Sequence, residues 1–341
     1  MSKYNLMYGC RLQASSYKKE EFDEKSFSNI LISKSKANTA CGLRLAACSF
    51  FYILISILTA TMSHAQEKIF IYPATEKVTH DGFDKEPPFI EYFKANADSA
   101  NGSAILVCPG GGYGHLADQH EGVDVAKFYN QYGFDAFVLH YRLNNGAQQG
   151  HRYPAQYNDV TTAMRLIKSR AKEWKLDPEK IGIIGFSAGG HLASTGGTMI
   201  KAANKKSKII LEQWSSRPSF MMLIYPVISL SSKYAHRGSA ENLLGKNPDF
   251  SLLDSLSTQN RVSAQTPPTF LVHSTDDNAV PPENSVMFYE ALRKESIPSS
   301  LHIYDHGGHG YGMAPKDKVL NTWPLLSIKW LERQGYRIKN R

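Results

Sequence analysis

The chain has 341 residues, 42% of them hydrophobic, and a formal charge of +8. That composition allows a large core and excludes a disordered chain. Eight basic and four acidic residues lie before residue 66, so the remaining 276 carry 31 basic against 27 acidic side chains, a formal +4 that gives no ground for a nucleic-acid partner.

In chain order, Lys34, Lys36 and Arg44 precede an apolar run from Leu45 to Leu58. The run is short of the roughly 20 residues that span a bilayer, and it ends in small residues with Ser63 and Ala65 where a signal peptidase reads. Residues 1–65 are therefore expected to be a leader and signal peptide cleaved after Ala65. The protein is then exported to the periplasm or beyond, with no stable membrane association; an uncleaved anchor is the alternative. Cys10, Cys41 and Cys48 precede the cut, so Cys108 alone remains and an internal disulfide is excluded in the exported part.

Residues 66–341 are expected to form one catalytic domain. "KIFIYPA" (68–74) is a candidate edge strand. From residue 104 onward apolar runs alternate with amphipathic segments, which predicts a mostly parallel sheet with helices on both faces. The candidate strands are 104–108, 134–141, 180–186, 220–226, 269–274 and 300–305. Over 154–174, Val160, Ala163, Met164, Ile167 and Ala171 recur at helical spacing just after a proline. The basic stretch from Lys201 to Lys208 is expected to be a solvated loop. Residues 229–268, rich in Ser and Asn, are expected to be a small insertion over the carboxyl end of the sheet, where such folds bind ligands.

Gly185-Phe186-Ser187-Ala188-Gly189 fits G-x-S-x-G at a predicted strand-to-helix joint. There the turn is so sharp that glycine is needed around a nucleophilic serine. A serine hydroxyl is a weak nucleophile and needs a base oriented by an acid, in chain order Ser, acid, His. His302 alternates with Leu301 and Ile303 inside a strand and is expected to be structural. Of His306 and His309 in "DHGGHGYG", His309, between Gly308 and Gly310, is the preferred base. "HSTDDNAVPPENS" offers Asp276 and Asp277 as the acid. In "CPGGGYGH" (108–115) unobstructed glycine N–H groups suit an oxyanion loop, with Gly111, Gly112 and the N–H of Ala188 as donors. As a dinucleotide fingerprint the run fails, because the third glycine and the acid ending the next strand are missing; no cofactor is expected. Tyr113, His236, Arg237 and Tyr311 are candidate substrate contacts at the mouth.

Taken together, GGGY, GFSAGG, D-x-x-V-P and GGHG in this order resemble the α/β-hydrolase superfamily over about residues 68–335. "NLLGKNPDFSLLDSLS", "TPPTFLVHSTDDNAVPPENS" and "IYDHGGHGYG" are similar more narrowly to bacterial secreted carbohydrate esterases grouped with acetylxylan esterases and feruloyl-esterase-like proteins. The resemblance implies the α/β-hydrolase fold, Asp277 as the acid before x-x-Val-Pro, and His309 as the base after the glycine pair. It also implies removal of an acetyl or similar short acyl group from plant polysaccharide such as xylan. Feruloyl esterase and exopeptidase are the alternatives within the fold. From other classes, a metal-dependent deacetylase would use Asp305, His306 and His309, and a non-catalytic homologue would bind carbohydrate only.

Overall fold

Among the described residues (67–73, 86–144 and 151–338 of the computed structural model), eight strands pair into one sheet. They are β1 (Glu67–Phe70), β2 (Phe89–Phe93), β3 (Ala104–Cys108), β4 (Asp135–His140), β5 (Ile181–Phe186), β6 (Met221–Ile224), β7 (Thr269–Ser274) and β8 (Ser299–Tyr304). Their order across the sheet is β1-β2-β4-β3-β5-β6-β7-β8. The β1–β2 and β2–β4 pairs are antiparallel and the other five are parallel. The expected leader and the cut after Ala65 lie outside the described residues.

Parallel strands covered on both faces read as unbroken apolar runs, and β3, β5 and β7 are buried along their whole lengths. Side chains alternate between two cores. Ala104, Leu106 and Cys108 pack on one face with α2 (Ala155–Ser169), α3 (Ser187–Thr198) and α6 (Glu283–Lys294). Ile105 and Val107 pack on the other with α1 (Asp124–Gln131) and α7 (Trp323–Arg333). Each fully buried Ile, Leu or Phe contributes about 1.5–3 kcal/mol.

The strands expected from 104 onward are present with ends shifted by two residues at most, and the edge strand near residue 68 is β1. Helix α2 buries Val160, Ala163, Met164 and Ile167 as its periodicity requires, and stops at Ser169. Ala171 is buried in the turn beyond it. Strand β2 was not anticipated. It is five residues long and follows two prolines in "KEPPFIEYFKAN", where charge masks the alternation that buries Ile90 and Tyr92.

Within 229–268 lie α4 (Arg237–Leu244), α5 (Phe250–Ser255) and a 3-10 turn over Thr258–Arg261. Asn284 of α6 accepts the N–H groups of Ile228 and Ser229 at 3.0 Å, and His191 of α3 meets the Leu256 carbonyl at 2.9 Å. These buried bonds tie the insertion to two helices of the main body. No helix of the described residues is long and apolar enough to cross a membrane.

Candidate active site

Strand β5 turns into α3 at Ser187, whose φ of +52° lies in the left-handed region that side chains other than glycine rarely adopt. The turn closes only because its neighbours lack side chains. A β-carbon on Gly185 would overlap the Gly189 carbonyl, and one on Gly189 would overlap the carbonyls of Cys108 and Pro109. Ser187 is 7% exposed, at the helix N-terminus and over the carboxyl ends of β3 and β5.

The structure brings the three predicted side chains together from positions up to 122 residues apart. Ser187 Oγ lies 2.8 Å from His309 Nε2, and His309 Nδ1 lies 2.7 Å from Asp277 Oδ2. The other carboxylate oxygen, Oδ1, accepts the N–H groups of Ala279 and Val280 at 3.0 and 2.8 Å. Burial raises the Asp277 pKa, but bonds from His273, His309 and the Val280 N–H outweigh it and hold the carboxyl down at about 2. A carboxylate there fixes the His309 proton on Nδ1 and leaves Nε2 free to accept from Ser187.

Asp276, the alternative acid, faces elsewhere. Its Oδ1 accepts the Gly308 N–H at 2.7 Å, and Ser274 Oγ donates to the Gly308 carbonyl at 2.6 Å, so both brace the loop that carries His309. His306 is held outside the triad between Asp305 (2.7 Å) and Asp317 (2.8 Å), and bonds to both carboxylates raise its pKa. His309 therefore turns to Ser187 and Asp277, not to Asp305 and His306 as a zinc set would require. Among the described residues no group of three or more His, Cys, Asp or Glu side chains is arranged to hold a metal ion.

The glycine loop after β3 bends through left-handed backbone at Gly111 (φ +121°), Gly112 (+64°) and Tyr113 (+63°). Gly110 N–H is committed to Glu121 Oε2 at 2.7 Å, and Asn242 Nδ2 of α4 donates to the Gly112 carbonyl at 2.8 Å. The N–H groups of Gly111, Gly112 and Ala188 have no protein acceptor among the described residues. Gly111, Gly112 and Ser187 line one cavity of about 510 Å³ together with His115, His236 and His309. Free donors beside a nucleophile are what a developing oxyanion needs.

Of the expected substrate contacts, only His236 lines this cavity. It caps α4, its Nδ1 accepting the Ser239 N–H at 3.2 Å, which places its proton on Nε2. Burial, then the field of His309, lowers its pKa. Arg237, the first residue of α4, is exposed and does not line the cavity. Tyr113 is turned under the glycine loop by its positive φ. It is 1% exposed, and its hydroxyl meets His191 Nδ1 at 2.8 Å. Burial pushes His191 down to about 4, so this ring is a neutral strut. Tyr311 also misses the cavity; its ring packs 4.4 Å from that of Tyr225, and burial raises its pKa.

Sheet order, elbow and helix placement define an α/β-hydrolase fold. The sequence model of the BD-FAE family matches residues 91–292, and the chain belongs to that family. It is 41% identical to the acetyl ester-xyloside bifunctional hydrolase of Caldicellulosiruptor lactoaceticus, with a TM-score of 0.74 over 80% of this chain and 97% of that one. It is 37% identical to an acetylxylan esterase of Xylanibacter ruminicola over 71% of this chain and 46% of that protein. To the endo-1,4-beta-xylanase B of Butyrivibrio fibrisolvens it is 35% identical over 66% of this chain and 35% of that protein. The chain thus spans less than half the length of these two curated relatives.

Among the residues that hold the site in place, Glu121, Tyr225, Asn242 and His273 escaped the sequence. His273 is buried against Asp277 at 3.3 Å, with its Nδ1 on Ser285 Oγ at 2.7 Å. None stands in a local motif. Strand β7 is buried along its whole length, so no in–out alternation singles out His273 either.

Proposed function

We propose that the chain is a serine carboxylic-ester hydrolase that removes acetyl or similar short acyl groups from plant polysaccharide such as xylan, or from its oligosaccharides. The observation that carries this reading is the continuous Ser187–His309–Asp277 hydrogen-bond chain beside the uncommitted N–H groups of Gly111 and Gly112. Ser187 Oγ attacks the ester carbonyl as His309 Nε2 takes its proton, and Asp277 stabilises the imidazolium that forms. The tetrahedral oxyanion rests on the N–H groups of Ala188 and of Gly111 or Gly112. His309 then protonates the leaving sugar alkoxide, and in the second half-reaction it activates the water that releases acetate.

Among the described residues the cavity lining is glycine, imidazole, carboxylate and amide with the Ser187 hydroxyl and the Ala117 methyl, and it holds no aliphatic side chain larger than alanine and no phenyl, phenol or indole ring. That supports a short acyl group and a hydroxyl-rich leaving group. His236 Nε2–H is the proposed donor to the sugar. The apolar run before Ala65 supports export to where plant polysaccharide is met. The names of the relatives favour the same substrate.

The test compares the purified protein on 4-nitrophenyl acetate, longer acyl esters, methyl ferulate and acetylated xylan. Acetyl esters are expected to turn over fastest, and Ser187→Ala to lower kcat by about a millionfold. Faster release of ferulate than acetate would replace the substrate, and activity of Ser187→Ala above a few per cent would remove the mechanism.

A further inference from the structure

The proposed reaction leaves one buried carboxylate at the edge of its cavity, Glu121, unused. Glu121 is 2% exposed and stands in a π-helical turn, Gln119–Val123, where the Val123 N–H reaches back five residues to the Asp118 carbonyl at 2.8 Å. Such single π turns re-aim a side chain that a regular helix would point elsewhere. A carboxylate buried away from water is costly unless each oxygen is matched with a donor. Here both are matched. Oε2 accepts the Gly110 N–H at 2.7 Å, and Oε1 accepts the Tyr225 hydroxyl at 2.8 Å. Tyr225 Oη in turn accepts the Gly312 N–H at 2.8 Å.

The two ends of this chain of bonds lie in the two glycine-rich loops of the site. Gly110 immediately precedes the free donors at Gly111 and Gly112, and fixing its N–H orients the peptide units that follow. Gly312 closes the glycine loop that carries His309, and the Tyr225 ring packs edge-on against the His309 imidazole at 5.0 Å. Tyr225 is itself in left-handed backbone, φ +37°, where β6 leaves the sheet. At Gly110 a β-carbon would lie 2.6 Å from Glu121 Oε2 and 2.9 Å from Ser187 Cβ, so carboxylate and nucleophile close on the same glycine.

We propose that Glu121, with Tyr225 as its relay, is a positioning residue that holds the oxyanion loop and the His309 loop in register with each other. The inference rests on the esterase reading above. A carboxylate accepts from both groups as they stand. A glutamine can accept from Gly110 only by turning its amide N–H towards Tyr225 Oη, which must then change from donor to acceptor and leave its own proton without this partner. Glu121 borders the substrate cavity, but both its oxygens are spent on Gly110 and Tyr225, so its effect on chemistry runs through the two loops, where a displacement of about an ångström is enough to slow the reaction.

The experiment uses the full chain on 4-nitrophenyl acetate, with kcat expressed per site titrated by an organophosphonate and Ser187→Ala as the control. Glu121→Gln and Tyr225→Phe are each expected to lower kcat about 10- to 100-fold with KM changed less than about threefold. The double variant is expected to be no worse than the poorer single one, because both break the same chain of bonds. If Glu121→Gln is not recovered folded, Tyr225→Phe, which removes one oxygen, decides alone. A melting temperature that falls while kcat per titrated site stays within about twofold of wild type would overturn the inference, and so would losses that multiply. Activity of Ser187→Ala above a few per cent would instead overturn the Ser187 mechanism on which the inference rests, so the two failures are distinguishable.

Discussion

At Ser187 the backbone is hemmed in, since β-carbons on Gly185 or Gly189 would overlap neighbouring carbonyls, whereas at His309 the flanking Gly308 and Gly310 have no other atom within 4 Å of where a β-carbon would stand. The nucleophile and its base meet at 2.8 Å, yet one is placed by excluded volume and the other by hydrogen bonds. The His309 loop is held by Asp276, Ser274, Asp277 and Tyr225, all from the ends of β6 and β7, and on its outer side by His306 between two aspartates. Steric placement tolerates no substitution, and polar placement can be removed one bond at a time. A base that must take up a proton and give it back is suited to the second kind of support.

The largest expected effect breaks the polar side at its centre. In Asp277→Asn the amide oxygen is claimed by the Ala279 and Val280 N–H groups, so Nδ2 faces His309 and His273. His309 must then accept on Nδ1 and carry its proton on Nε2, where it cannot take one from Ser187. A fall in kcat of about 10⁴ is expected, with little change in KM. The same variant tests the pKa. The Asp277 pKa of about 2 lies below the ordinary value near 3.9. Ionisation of this group therefore stabilises the fold above about pH 4, and that contribution is lost as pH falls towards 2. Unfolding temperatures measured over this range should fall more gently in Asp277→Asn than in wild type; parallel curves would contradict the assigned ionisation. On the steric side, Gly189→Ala is expected to cost on the order of 4 kcal/mol, since it forces the elbow away from β3. Denaturant titration of the variant measures this, and a loss under about 1 kcal/mol would mean the elbow is not sterically closed.

The same contrast explains what could be read from the sequence. Excluded volume leaves a local signature, so G-x-S-x-G, the glycine run after β3 and the apolar strands were legible residue by residue, and the order Ser, acid, His narrowed the base to His302, His306 and His309, of which the glycine-flanked His309 was preferred. Hydrogen bonds across the fold leave none. Glu121 and Tyr225 are 104 positions apart, and Asn242 reaches Gly112 across 130; nothing near either residue in the chain marks it. The choice between Asp276 and Asp277 needed the resemblance to known esterases for the same reason. Tyr113 was misplaced because its side chain direction depends on a positive φ that no composition rule predicts for tyrosine. Strand β2 was missed where prolines and charges interrupt a pattern only five residues long.

Two smaller changes separate the supports of the His309 loop from its backbone. Asp276→Ala removes the acceptor for the Gly308 N–H while leaving the triad untouched, and about a 10-fold loss in kcat at unchanged KM is expected from the looser base. Gly308→Ala adds a methyl group that meets nothing, so its whole effect comes from holding alanine at φ +60°. That costs about 1 kcal/mol of stability, measurable by denaturant titration, and should leave kcat within about twofold as long as Asp276 still holds the loop. If Gly308→Ala instead matched Asp276→Ala in kcat, backbone freedom at Gly308 would be what places the imidazole, and the hydrogen bonds would be its consequence. Combining the two changes decides the matter. A loop held by its bonds loses kcat through Asp276→Ala alone, so the double variant is expected to fall no further than that single one.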